Sequence, residues 1–262
     1  MKRNVIVLIT ILIILVSFFL FDFFIRYTLE DFQQNNIEIV VSRYNEDLEW
    51  LKDEPFNKYP IVIYNKGVND DFYKPNNTKI IKLANVGRCD HTYLYHIVNN
   101  YDNLPENTIF LPGSANMHNK IDKAKEQVYE MEKHNNTVIL GSKYNNVKND
   151  LYGFSIDSHI ATDTKNSSMN NETKLEISRI RPFGKWFEHH FGDTPVQYIS
   201  YFGILGINKK HILLRKKEFY EKLLAEVSNS SNPEVGHYLE RAWNAVFIGF
   251  GIIYKDVPLL YF

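Results

Sequence analysis

Apolar positions change their period along this chain, and the changes outline its elements. From Val5 to Ile25 the run VIVLITILIILVSFFLFDFFI is apolar throughout, with Asp22 its single charge. About 21 helical residues rising 1.5 Å each span ~31 Å, the thickness of a bilayer core. A helix closes its backbone hydrogen bonds internally, so it suits lipid where an extended segment does not. The run therefore predicts a membrane anchor. A cleaved signal peptide is the competing reading; it needs a shorter apolar region and a small-residue cleavage site. Arg26-Tyr27-Thr28-Leu29 offers no such site.

Beyond a polar neck (26–36), Ile37-Glu38-Ile39-Val40-Val41 alternates and is β-branched, predicting a strand. A short helix over Glu46–Leu51 follows, with Asn45 as its N-cap. Pro60–Tyr64, Lys79–Leu83, Thr108–Leu111 and Thr137–Gly141 are further strands. Arg88–Tyr101 and the Ile121, Ala124, Val128, Met131 repeat have helical spacing. From Ser142 to Lys174 periodicity fades into an Asn/Asp/Ser-rich loop with one strand near Tyr152–Ile156. Loops of this length are often functional. Helices at Arg181–Phe191 and Lys209–Val227 flank a strand at Tyr198–Ile207, and a last helix covers Pro233–Ile248. Strand–helix alternation predicts a single α/β domain over 37–262, its mainly parallel sheet flanked by helices. Ligands of such sheets sit beyond the carboxyl ends of the strands. The segments to search are 42–47, 64–71, 84–91, 111–118 and 141–160.

Charge orients the anchor. Lys2 and Arg3 lie within residues 1–4, while Glu30 and Asp31 follow Arg26. The positive-inside rule puts the N-terminus in the cytoplasm and the domain on the lumenal or exterior side, a single-pass type II layout. Sequons at Asn76, Asn135, Asn166, Asn171 and Asn229 agree with a glycoprotein, although chance supplies roughly two or three in so polar a chain. A net charge of −1 gives no basic surplus for nucleic acid. The lone Cys89 excludes an internal disulfide framework and any multi-cysteine metal cage.

Several polar clusters fall in the segments to search. Arg43 follows the first strand and can fork onto a phosphate or carboxylate; Asn45 and Asp47 beside it either join that site or simply cap the helix. Asn85-Val86-Gly87-Arg88-Cys89-Asp90-His91 is denser in polar groups than a connector needs. Cys89 with His91 raises a thiol nucleophile, against which stands the usual inertness of a lone cysteine. No Asp-x-Asp pair follows the Leu111-Pro112-Gly113 strand end, so a divalent metal is not supported; His118 lies just beyond it. Asp157 and His159 make a two-ligand metal signal, weaker than a solvated loop. Trp186 offers a face for sugar stacking. His189 and His190 point about 100° apart and read as surface residues. Glu240, beside apolar neighbours on the last helix, is either a general base of raised pKa or half of a structural Glu–Arg pair with Arg241.

The residues also carry a family pattern. It runs through Val41–Leu51, Val62–Gly67, Asn85–Arg88, Tyr93–Pro105, Phe110–Gly113, His118, Glu218–Tyr220 and Leu239–Trp243. These pieces resemble an uncharacterised family of fungi, algae and large DNA viruses, known only as a domain of unknown function. The layout is similar to glycosyltransferases of the nucleotide-diphospho-sugar, or GT-A, fold. Two departures stand out: the Asp-x-Asp is absent, and Cys89-Asp90 stands where relatives more often show an acidic residue.

The resemblance implies a membrane-anchored enzyme that passes a sugar from a nucleotide-sugar donor to a hydroxyl on a glycan or glycoprotein. Arg43, Asn45, Asp47, Asn85, Arg88, Asp90 and His91 would bind the donor, Glu240 or Asp157 would act as base, and His118 and Trp186 would face the acceptor. The alternatives are a non-catalytic glycan- or protein-binding module on the same scaffold, and a hydrolase using Cys89 or Ser114 with His91 or His118.

Overall fold

The computed structural model describes residues 15–22, 37–117, 120–157 and 174–257. Residues 1–36 and 37–262 are separate units. In the first, 15–22 are helical, and Leu15, Val16, Phe18, Phe19, Leu20 and Phe21 are exposed. No helix among the described residues is long and apolar enough to cross a membrane. The remainder of the expected span, 5–14 and 23–25, and the neck at 26–36 lie outside the described residues.

The second unit is built on an eight-stranded sheet. Its strands are β1 (Ile37–Arg43), β2 (Ile61–Asn65), β3 (Thr78–Lys82), β4 (Asn107–Pro112), β5 (Val138–Lys143), β6 (Tyr198–Ile199), β7 (Leu205–Asn208) and β8 (Ile253–Asp256). They lie in the order β3-β2-β1-β4-β7-β5-β6, with β8 beside β5. β3, β2, β1 and β4 are parallel, as are β5 and β8, whereas β7 runs antiparallel to both β4 and β5. The helices are α1 (Arg88–Asn100), α2 (Lys120–His134), α3 (Val147–Asp150), α4 (Phe183–Phe191), α5 (Lys209–Ile212), α6 (Lys217–Glu226) and α7 (Glu234–Val246).

Strand alternation sorts side chains onto the two faces. Val40, Val62, Tyr64 and Phe110 pack with Tyr93, Leu94 and Ile97 of α1 and with the aromatic faces of α4 and α7. Ile37, Ile39, Val41, Ile61, Ile63, Ile109 and Leu111 turn the other way, onto Ala124, Val128 and Met131 of α2 and the Leu48–Tyr59 loop. The mixed α/β class and the largely parallel sheet accord with the sequence pattern.

Local differences have identifiable causes. The expected helix at Glu46–Leu51 is a 3-10 turn over Glu49–Lys52, because Leu48 adopts a left-handed conformation (φ 59°) and itself takes the N-cap position, which it cannot cap with a side chain. Lys209–Val227 is broken into α5 and α6 by the turn at Leu213–Lys216. Tyr198–Ile207 is interrupted at Tyr201–Gly203, where Phe202 has φ 75°. Tyr152–Ile156 is not a strand, and β8 has no counterpart in the sequence reading.

Candidate functional site

The register brings four chain segments to one edge of the sheet. Ser42 and Pro112 pair at the carboxyl ends of β1 and β4, and Asn65 ends β2 beside Arg43. β7 is antiparallel, so its first residue, Leu205, faces Phe110 near that same edge. α1 starts here as well, its Thr92 hydroxyl bonded to the Ser42 hydroxyl at 2.8 Å.

The turn into α1 is tightly built. Gly87 and Arg88 both have positive φ, 60° and 52°. A Cβ on Gly87 would run into the Val227 carbonyl and the His91 side chain, so glycine alone fits. Arg88 holds its left-handed conformation at a cost on the order of 1 kcal/mol. Beneath the turn, the buried Lys66 donates to the carbonyls of Val86 (2.6 Å) and Arg88. Burial pushes the Lys66 ammonium down to about 8.

This turn presents Asp90, 4% exposed, to α7. The Trp243 indole donates to its Oδ1 at 3.0 Å. Burial, then the negative charge of Glu240, push Asp90 up to about 7, with Arg88 opposing. Arg88 Nη1 lies 2.9 Å from His237 Nε2. A guanidinium only donates, so that ring nitrogen is the acceptor and the proton of the neutral imidazole sits on Nδ1.

Glu240 is three residues before Trp243, on the same face of α7. Its Oε1 accepts the backbone N–H of Phe202 at 3.0 Å, which ties α7 to the left-handed turn before β7. Lys123, buried on α2, supports that turn from behind by donating to the Tyr201 carbonyl at 2.8 Å and the Ser200 hydroxyl at 3.3 Å. Burial drives Lys123 down to about 7, with Glu240 opposing. Arg241 stacks on Phe154, 3.8 Å from the ring centroid, and lies 5.7 Å from the ring of Tyr201. Two carboxylates thus have four basic side chains around them, Arg88, Arg241 and two buried lysines that each hold a loop. A carboxyl near neutrality is suited to accepting and returning a proton, and the cations suit an anionic ligand.

A family model described as "Protein of unknown function (DUF3431)" matches residues 39–255, which run from β1 into β8. The chain belongs to this family. No curated protein matches it. Among solved structures, 4-diphosphocytidyl-2C-methyl-D-erythritol synthase from Anaerococcus prevotii DSM 20548 is similar over 87% of this chain and 92% of that one, at 14% identity and a TM-score of 0.40.

In this DUF3431 chain the residues singled out from sequence separate into groups. Arg88, Asp90 and Glu240 come together. Arg43 is 1% exposed and its guanidinium is used internally: Nε donates to Glu46 O, Nη1 to Tyr44 O, Asn65 Oδ1 and Asn69 O, and Nη2 to Asn69 Oδ1. With Phe72 also stacked on it at 4.0 Å, it organises the loops after β1 and β2 and presents no free fork. Asn45 and Asp47 lie in the first of those loops; the Asp47 carboxylate caps the Glu49 N–H. Asn85 is exposed. His91 is buried against Tyr95, and burial, with Lys66 nearby, lowers it to about 4, so it is neutral at neutral pH and offers an anion no positive charge.

Two expectations require correction. Trp186 is fully buried among Phe183, Phe191 and Tyr238 and donates to Glu226 at 2.7 Å, leaving no face for a sugar. Asp157 is outside the cluster: it is 3.0 Å from Arg181, which also bonds Glu234 at the start of α7, about 9 Å along the helix from Glu240. Cys89 keeps the inert reading favoured from the sequence, since burial and then Asp90 push its thiol up to about 12. His118 and His159 lie outside the described residues. No group of three or more His, Cys, Asp or Glu side chains suited to a metal occurs among the described residues.

Lys66, Lys123, His237 and the Phe202 turn were missed. Lys123 had one legible signal. It sits four residues before Gln127 on the apolar side of α2, and both are buried.

Proposed function

We propose that this chain is a membrane-tethered glycosyltransferase of the nucleotide-diphospho-sugar kind, passing a sugar from a nucleotide donor to a hydroxyl acceptor. The observation that supports this is the Asp90–Glu240 pair, with Asp90 at about 7 and Arg88, Lys66, Lys123 and Arg241 around it. Its position at the carboxyl edge of parallel strands is where such sheets take ligands.

In this reading the acceptor hydroxyl attacks the anomeric carbon of the donor. A new carbon–oxygen bond forms as the bond to the donor phosphate breaks, and the nucleoside diphosphate leaves with the electron pair. The hydroxyl proton passes to the ionised Asp90 carboxylate. Arg88 and Arg241 offset the growing charge on the leaving diphosphate, an electrostatic contribution made where charge develops. Glu240, bonded to the Phe202 N–H, orients the acceptor side.

The test is turnover by the detergent-solubilised full chain across UDP- and GDP-sugars, with and without Mn²⁺. One donor should release its nucleotide, with D90N and E240Q each reducing kcat about a hundredfold or more, the lower range for a general base. No binding to any donor removes the reading. Glycan binding without turnover, unchanged in E240Q, establishes the non-catalytic module instead.

A further inference from the structure

The edge of the sheet opposite the candidate site carries an unusual surface. After β7 the chain reads Lys209-Lys210-His211-Ile212-Leu213-Leu214-Arg215-Lys216-Lys217. Only His211 and Ile212 are buried within it; Leu213 and Leu214 are 45% and 58% exposed. Among the described residues Lys209, Lys210, Lys216 and Lys217 make no ion pair. Asp102, Glu106, Glu218 and Glu221 are the carboxylates nearby in sequence or contact, four against five cations.

A second segment is fixed against this one. His211 Nε2 lies 3.3 Å from the Phe250 carbonyl, and its Nδ1 lies 2.7 Å from the Thr137 hydroxyl. Gly249, at φ 145°, passes so close that a Cβ would strike His211 and the Leu214 side chain. The turn therefore stands beside Leu214 with Phe250 at 101% exposure. Leu213, Leu214 and Phe250 are exposed apolar groups, the first two flanked in sequence by lysines on both sides.

We propose that this surface docks on an anionic lipid bilayer. Exposed Leu and Phe flanked by Lys and Arg are the chemistry that inserts shallowly among acidic headgroups. The connectivity of the sheet points the same way. Asn208 pairs with Asn107, and Asn107 pairs with Ile37, so β1 begins two strands from Lys209, about 10 Å at ordinary strand spacing. Ile37, the first residue of the domain, therefore lies on the side that bears this surface. The buried Asn107–Asn208 bond at 3.0 Å and the Asn208 N–H to Thr137 bond at 2.8 Å hold that side rigid. Docking would leave the Asp90–Glu240 edge pointing away from the lipid, so the proposal does not depend on what that edge catalyses.

The experiment uses F250W in the full chain, because Trp50, Trp186 and Trp243 are all buried. The protein is reconstituted in phosphatidylcholine vesicles, neutral or with roughly 30% phosphatidylserine, in both cases with brominated tails. The F250W emission should fall at least about twofold in the anionic vesicles and recover in K209E/K210E/K216E/K217E, each cation contributing roughly fivefold to surface affinity. The K209Q/K210Q/K216Q/K217Q variant, which removes charge without reversing it, should show the same recovery if the reversed variant folds poorly. Equal emission in neutral and anionic vesicles overturns the proposal. So does a blue shift in detergent that grows with protein concentration, which would mark a second copy on the patch.

Discussion

The Trp243 indole donates 3.0 Å to the buried carboxylate of Asp90, joining α7 to the first turn of α1 across 153 positions of sequence. A bond to a charged group contributes about 1.5–3 kcal/mol. W243F keeps the ring and removes the donor, so the ionised form of Asp90 loses a stabilising partner. Its pKa should rise above about 7, read by carbon-13 NMR titration of labelled Asp, with a lower thermal midpoint at pH 8 than the wild type. An unchanged titration would mean that the indole bond does not matter to the carboxylate.

Asp90 also sets a pH slope. Its folded pKa is raised from 3.8 to about 7, so its favourable contribution is complete below about 4 and is lost as pH rises through 7. Ionising it inside the fold costs on the order of 4 kcal/mol more than in water. D90N should be flatter than wild type between pH 4 and 8 in urea-unfolding midpoints. Equal slopes would remove Asp90 from the pH dependence.

Lys123 gives the opposite sign. Its folded pKa is depressed from 10.5 to about 7, so its contribution is present above about 10.5 and lost as pH falls through 7. K123M should abolish the gain in stability between pH 7 and 10. It also leaves the Tyr201 carbonyl without its donor, so turnover should fall while donor affinity holds. A kcat equal to wild type would confine Lys123 to stability.

For Arg43 the expected effect lies in folding. R43A strands acceptors on Tyr44, Glu46, Asn65 and Asn69 at once, a loss of roughly 3 kcal/mol or more. R43K keeps the charge without the planar fork and should recover only part of it. A variant that folds normally yet binds the donor weakly would restore Arg43 as an anion ligand.

Periodicity and composition determined a good deal alone. Period-2 runs at Ile37–Val41 and Thr108–Leu111 and helical spacing at Tyr93–Val98 and Ile121–Met131 reflect local backbone geometry acting over a few residues. Strand–helix alternation then determined the α/β class and the edge to search. Arg88, Asp90 and Glu240 could be nominated one at a time, because Gly87 and the helix starts are local signals.

Tertiary structure decided which nominations meet. Arg43 and Trp186 look functional as isolated residue types; only burial and partners assign the first to loop assembly and the second to the core. Lys66 and Lys123 look like surface lysines, since their burial comes from segments far away in sequence. The Asp90–Glu240 pair exists because β7 runs antiparallel, bringing the Phe202 turn and α7 to the carboxyl edge of β1 and β4. Strand direction across a sheet comes from long-range packing and chain crossing, which no local pattern of hydrophobic positions encodes.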